Sequence, residues 1–361
     1  APEIALPGDN FNTVLYTGTG AADNVITGVG FQSDFTWIKS RSTTHKHMAF
    51  DAVRGVTKYV VPNLTDAESS DPDSLNAWSS DGFTTGAAAN TNVSSATFVA
   101  WNWKAGGAPT ADNSAGAGAT PTAGSVKIDG ANLGSALAGT IAATRLSANT
   151  TSGFSIVLYE GTEAIATVAH GLSQTPELIL FKNIDSALFW PVYSKPTDAT
   201  DYLILNYDYA VADSDGYFND TEPTSTVFSL GDKTNLNRDT CIAYCFHSVE
   251  GYSKVGSYAG NSSADGTFVY CGFKPAYVLN KMIEPHTYGW VVEDSVRDPY
   301  NAAGYQLYPN TNGVESANHP RVDFVSNGFK WRDGSYDINH SSGTYLFLAF
   351  AESPFKYSNA R

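Results

Sequence analysis

Three stretches of this chain open and close alike. Val14-Leu15-Tyr16-Thr17-Gly18, Val157-Leu158-Tyr159-Glu160-Gly161 and Val255-Gly256-Ser257-Tyr258-Ala259-Gly260 each begin a segment that reaches a glycine-led turn and then a strand ending near a lysine. The turns start at Gly30, Gly171 and Gly272. Each segment ends on an apolar, aromatic run: Phe98-Val99-Ala100-Trp101-Asn102-Trp103, Cys241-Ile242-Ala243-Tyr244-Cys245-Phe246 and Tyr345-Leu346-Phe347-Leu348-Ala349-Phe350. Such a repeat constrains the fold more than any single motif, because every copy has to be a folding unit of the same kind. The period is on the order of 90 residues, too long for a solenoid unit and right for a small all-β one.

The 361 residues therefore read as all-β, three tandem β-sandwich domains joined by one long and one short linker. The domains are expected at 1–105, 153–251 and 252–361, with 106–152 a Gly/Ala/Thr-rich linker carrying short strands. The near-absent gap between the last two predicts a rigid pair, with the first hung on a looser connection. Strands are expected near 25–29, 35–39, 126–129, 155–159, 178–182, 202–206 and 240–246 from β-branched and aromatic content. Glycines 134 and 139 argue against a helix over 136–143, which is left as extended connector. The run 345–350 is apolar at both alternating sets of positions, as in a central strand of a two-sheet sandwich. Ser80-Asp81-Gly82-Phe83 and Ser326-Asn327-Gly328-Phe329 read as hairpin turns; the middle repeat has no such tetrad at the matching place.

A net charge of -15 without any cluster of Lys and Arg excludes nucleic-acid wrapping, which needs basic residues grouped against phosphates. No run of about 18 apolar residues occurs, so no membrane insertion is expected. The opening residues do not read as a signal peptide. Cys241 and Cys245 fall on the same strand face at roughly 13 Å, beyond disulfide reach, so the three cysteines are expected as buried thiols.

Catalysis on a sandwich of this kind calls for paired acids projecting from one strand face. The nearest sequence is Glu293-Asp294-Ser295-Val296-Arg297-Asp298, whose spacing is wrong. Its Asp-x-x-Arg pair recurs in Asp51-Ala52-Val53-Arg54 and reads as a structural salt bridge. No nucleophile elbow, P-loop or dinucleotide fingerprint appears, so no enzyme activity, catalytic residue or cofactor is expected. His45-Lys46-His47 and Asp213-Ser214-Asp215-Gly216 suggest metal ligands, yet neither has its remaining ligands in register; no metal is expected, Asp213 and Asp215 being the places to look. Flat rings with a polar edge can stack on sugars, and the ligand-binding candidates in loop-like sequence are Trp78, Trp190, Tyr193, Tyr288, Trp290 and Trp331.

At these residues the chain resembles a family of jelly-roll modules in tailed-bacteriophage structural proteins. The resemblance rests on Phe11 to Gly18 with Gly28-Val29-Gly30-Phe31-Gln32, on Phe50-Asp51-Ala52-Val53-Arg54-Gly55, on Ser80-Asp81-Gly82-Phe83, and on Val99-Ala100-Trp101-Asn102-Trp103-Lys104-Ala105-Gly106-Gly107. It continues through Gly251-Tyr252-Ser253-Lys254 to Pro354-Phe355-Lys356-Tyr357-Ser358-Asn359-Ala360-Arg361. It implies concanavalin-like jelly rolls and a place on the virion surface, in tail fibres, adhesins or head decorations, with no catalytic residues to carry over. The expected partners are virion proteins and a host-surface glycan, and the expected assembly is a homo-oligomer, a trimer. Capsid decoration with contacts to virion subunits alone is the alternative, and a polysaccharide-degrading enzyme a further one.

Overall fold

The structure, a computed structural model, describes residues 7–236, 238–317 and 319–352. The last part of the resemblance, 354–361, lies outside the described residues. Strands dominate; the α-helices among the described residues are two four-residue turns, Ala89–Asn92 and Asp215–Phe218.

Four strands recur in each repeat. The first strand is Phe11–Thr17, Phe154–Glu160 or Ser253–Ala259. The lysine strand is Phe35–Ser40, Leu178–Asn183 or Pro275–Glu284. A short strand follows, Met48–Asp51, Pro191–Ser194 or Val291–Asp294. The closing strand is Thr97–Trp103, Thr240–Phe246 or Thr344–Ala351. In every large sheet they lie in the order first, closing, lysine, short. Register repeats as well: Trp103 faces Phe11 and Phe35, Phe246 faces Phe154 and Leu178, and Phe350 faces Ser253 and Tyr277. This pairing makes Lys39, Lys182 and Lys281 equivalent, opposite Val99, Ile242 and Leu346.

A smaller sheet covers one face of each large one, giving the all-β sandwich architecture. It has three strands in the outer repeats, Asn24–Thr27, Gly82–Thr85 and Leu75–Ser79 in one, Phe268–Tyr270, Gly328–Trp331 and Val322–Val325 in the other. The middle repeat has two, Ala166–Ala169 with Val227–Leu230. The lost hairpin tetrad is thus a lost strand.

The expected linker is largely built into the middle sheet. Val126–Ile128 pairs in parallel with Ala143–Asn149, which pairs antiparallel with Phe154–Glu160. Arg145 Nη1 donates to Val53 O at 3.0 Å and Asn149 Nδ2 to Asn10 Oδ1 at 2.8 Å, so the segment is fastened to the first repeat too.

The loosely hung first unit is likewise overturned. Residues of all three repeats form one apolar cluster, including Phe11, Trp37 and Trp101, then Phe154, Leu180 and Tyr244, then Tyr277, Leu279 and Phe350. Equivalent rings meet at its middle: Trp103 lies 6.4 Å from Phe246 and 5.8 Å from Phe350, and those two lie 6.2 Å apart. The large sheets therefore face one another around a pseudo-threefold centre. This explains the doubly apolar strands. Ile38, Phe98 and Ala100 face their own small sheet, while Trp37, Val99 and Trp101 face the shared centre. Burying both faces removes more apolar area from water than a free-standing sandwich does.

Candidate recognition site

Three equivalent lysines lie beneath the loops that could meet a partner, and two of them, Lys182 and Lys281, hold their loops by hydrogen bonds. Lys39, Lys182 and Lys281 are buried at the ends of their strands, each donating to the carbonyl of the next residue at 2.7, 2.6 and 2.8 Å. Lys182 Nζ also reaches Ser186 O and Leu188 O in its own loop and Thr65 O in the first repeat, all within 3.2 Å. Lys281 Nζ reaches Tyr288 O at 2.7 Å and Asp208 O of the middle repeat at 3.4 Å. Burial lowers all three, Lys39 and Lys182 to about 8 and Lys281 to about 7.

The junctions between repeats are cyclic. Glu68 N donates to Ile184 O, Val211 N to Ile283 O and Glu315 N to Arg41 O, at 2.8, 2.9 and 2.8 Å. Ring donors follow the same cycle: Trp190 Nε1 to Leu64 O at 3.1 Å, Trp290 Nε1 to Ile204 O at 2.8 Å, and His47 Nε2 against Tyr308 O at 3.1 Å. The Asp-x-x-Arg pairs sit here as buried salt bridges, Asp51–Arg54 at 2.6 Å and Asp294–Arg297 at 2.5 Å. Each aspartate also accepts from the next repeat, Asp51 from Tyr244 Oη at 2.8 Å and Asp294 from Trp101 Nε1 at 3.0 Å. Each arginine reaches a glutamate, Glu68 or Glu315. These are assembly elements: the aspartates and arginines are buried, and the glutamates lie at the partly exposed edge of the junction.

Above the middle lysine, the loop before the short strand presents Leu188 and Phe189. Phe189 is 40% exposed and meets Tyr207, 36% exposed, edge to face at 5.2 Å. Tyr207 stacks on Tyr209, 47% exposed, at 4.9 Å. Behind this ridge opens a cavity of about 250 Å³, lined by Tyr159, Phe181, Tyr217 and Cys241 with Leu188, Phe189 and Lys233 around it. Lys233 Nζ lies 5.0 Å from the Tyr217 ring centre and donates to Ser214 Oγ at 2.9 Å. In the third repeat the corresponding loop places Tyr288 on Tyr336 at 5.1 Å, and Tyr336 on His340 at 3.8 Å.

The sequence candidates fare unevenly against this geometry. Trp190, Trp290, Trp331 and Tyr193 are each no more than 1% exposed and cannot offer a ring face to a sugar. Trp190 and Trp290 are inter-repeat donors, Trp331 fills the third sandwich, and Tyr193 donates its hydroxyl to Glu222. Trp78 is half-buried on the strand Leu75–Ser79, and Tyr288 is half-buried in its stack. Asp213 and Asp215 are exposed, and Asp215 begins the short helix that Ser214 caps. No group of three or more His, Cys, Asp or Glu among the described residues could hold a metal ion. His45 lies outside any strand, while His47 is buried and accepts from Trp37 Nε1 at 2.9 Å, so the two imidazoles do not form a pair. Phe189, Tyr207 and Tyr209 are not among the sequence candidates. A signal for the ridge existed in Phe189-Trp190, since neighbours in extended backbone point to opposite faces and only one of the two can enter the core.

Two groups of acidic and polar side chains among the described residues are held in structural contacts. Glu293 is buried beside Arg321 at 3.3 Å, which also binds Asp337 at 2.7 Å. Burial raises the Glu293 carboxyl to about 8 despite that guanidinium. Ser248 Oγ donates to Glu177, while His247 Nδ1 faces Ser248 O rather than the hydroxyl. The three cysteines are free and buried, as expected, and burial pushes Cys241 and Cys271 up to about 12.

No helix among the described residues is long and apolar enough to cross a membrane. No curated protein matches the chain. A family model, described as a domain of unknown function (DUF7483), matches residues 6–127 and again 129–354, so that two successive matches cover almost the whole of the repeated architecture. On that coverage the chain belongs to the DUF7483 family.

Proposed function

We propose that the protein is a non-enzymatic structural protein of a bacteriophage particle, exposed on the virion surface as a tail-fibre or adhesin component, that binds host-surface glycan through Phe189, Tyr207 and Tyr209. The observation that carries this reading is the continuous ridge of three rings, with Tyr207 in contact with Phe189 on one side and Tyr209 on the other, each more than a third exposed. Rings held in water at a fixed spacing lose little further entropy on meeting a ligand, and contiguous exposed apolar surface marks interaction sites. The three flat faces and the hydroxyls of Tyr207 and Tyr209 suit a pyranose, which is apolar on one side and polar at its edge. The virion assignment rests on the sequence resemblance. In this reading the assembly partners are virion subunits and the oligomer is a trimer.

The test is a glycan array probed with the intact protein and with Phe189→Ala and Tyr209→Ala. Binding that falls by about tenfold or more in both variants supports the reading. Binding unchanged in both, or no binding by the parent protein, sinks it. Locating the chain in intact particles by cryo-electron microscopy separates the tail-tip adhesin from a decoration protein spread over the head.

A further inference from the structure

At one core position the middle repeat departs from both its sisters. The second residue of the closing strand is Phe98, Cys241 or Tyr345, and it lies directly opposite Tyr16, Tyr159 or Tyr258 on the first strand. In the outer repeats two rings stack there in nearly the same geometry. Phe98 lies on Tyr16 at 5.0 Å and 9°, and Tyr345 on Tyr258 at 5.0 Å and 10°. The tyrosine is anchored alike in all three, its hydroxyl donating to Thr91 O, Thr234 O or Ile338 O at 2.7, 2.7 and 2.6 Å. A buried asparagine follows each acceptor, Asn92, Asn235 or Asn339. The frame around the ring is thus kept in the middle repeat, while the ring is exchanged for a thiol.

That exchange coincides with the cavity. Cys241 lines it together with Phe181 and Tyr217. A dry cavity of about 150 Å³ is enough for benzene, so the volume of about 250 Å³ here has room for a ring and a substituent. The aromatic residues Tyr159, Phe181 and Tyr217 in the lining, and the rings that the sister repeats place at this point of the frame, favour an aromatic ring. Two lysines line the cavity. Lys182 is buried with its Nζ bound to four carbonyls, whereas Lys233 is exposed and among the described ion pairs has no carboxylate partner.

We propose that this cavity is a small-molecule site for a planar aromatic compound bearing an anionic group, its ring seated over Cys241 between Phe181 and Tyr217 and its anion at Lys233. Binding is non-covalent and does not depend on the glycan reading, although Phe189 borders both places.

The test is calorimetric titration of the full chain with indole, indole-3-acetate and cyclohexanecarboxylate. The expected result is binding of both indoles, weaker binding of the saturated acid, and a loss of about tenfold or more in affinity for both indoles when Cys241→Phe fills the cavity. Cys241→Leu serves as a second filling variant if the phenylalanine disturbs folding. Lys233→Gln is expected to weaken indole-3-acetate several-fold and leave indole unchanged. No binding of either indole up to millimolar concentration overturns the proposal, as does equal affinity in the parent and a folded filling variant. Equal effects of Lys233→Gln on indole and indole-3-acetate overturn the assignment of the anion.

Discussion

At the scale of single residues, the middle repeat shows how a buried charge network is removed without leaving a fragment. The positions of Asp51, Arg54 and Glu68 are held there by Ser194, Thr197 and Val211, and the donor corresponding to Trp101 and Tyr244 is Leu348. All four members differ together. Ser194 Oγ and Thr197 Oγ1 lie 2.8 Å apart and satisfy each other, and Val211 packs on the shared core. This is the pattern expected if an unpaired buried charge costs more than the intact pair gains. In the first repeat, burial opposes the charge on Arg54, but Asp51, Tyr244 and Glu68 outweigh it and raise its pKa. Arg54→Ala leaves Asp51 buried without its counter-ion and is expected to cost about 3–5 kcal/mol, whereas Thr197→Ala is expected to cost about 1 kcal/mol. Urea denaturation of the two variants checks the contrast. Glu293 supplies a pH signature. Folded, it keeps its proton up to about 8, against an ordinary value of 4.5, because burial outweighs Arg321, which it shares with Asp333 and Asp337. The folded state therefore binds more protons than the unfolded one between those values, and this contribution to stability is present below 4.5 and lost as the pH rises to 8. Glu293→Gln is expected to flatten the fall in stability between pH 5 and 8 relative to the parent, measured by denaturation midpoints across that range.

At the scale of elements, what could be read in advance was what local chemistry specifies. The lysine and closing strands announce themselves by β-branched and aromatic residues, and the tetrads at Ser80 and Ser326 mark real hairpins because only a residue without a side chain fits their third position. A Cβ on Gly82 would lie 2.0 Å from Ile26 O, and one on Gly328 2.0 Å from Val269 O. In the middle repeat Val227 stands opposite Ala169, as Gly82 stands opposite Thr27, and the third strand is gone. Gly328→Ala is expected to destabilise by about 1–3 kcal/mol through displacement of that strand, while Val227→Ala, which removes bulk from a half-buried site, costs less; thermal denaturation of both decides it. The strand Ala143–Asn149 was not legible. Its alanine, serine and asparagine residues carry little strand preference, and it is extended because Phe154–Glu160 on one side and Val126–Ile128 on the other pair with it. The aromatic ridge was hidden for a related reason. Loop aromatics look alike in sequence, and Trp190 and Trp290 enter the core because carbonyls of a neighbouring repeat, distant in sequence, wait for their indole nitrogens.

For the whole molecule, the repeat that the sequence displays does not imply separable domains. A free-standing sandwich of this size buries one face of its large sheet and leaves the other to water. Here the second face carries Trp37 and Trp101, Leu180 and Tyr244, or Leu279 and Leu348, all buried against the other repeats. Phe11 stacks on Phe350 at 4.7 Å, and Phe35 meets Tyr244 at 4.5 Å, so the first repeat closes against both others and the chain's order becomes a ring. The three inter-repeat backbone bonds from Glu68, Val211 and Glu315 complete the same cycle. Removing one repeat exposes a continuous apolar face on each of the remaining two, a penalty of many kcal/mol at about 25 cal/mol per Å² of apolar surface returned to water. Folding is therefore expected to be cooperative across all three repeats. Calorimetry of the full chain is expected to show one transition, and a chain ending at residue 251 is expected to aggregate or remain unfolded. A monomeric, cooperatively folded 1–251 fragment with the stability of the parent would show instead that the shared centre contributes little, and that each sandwich stands on its own core.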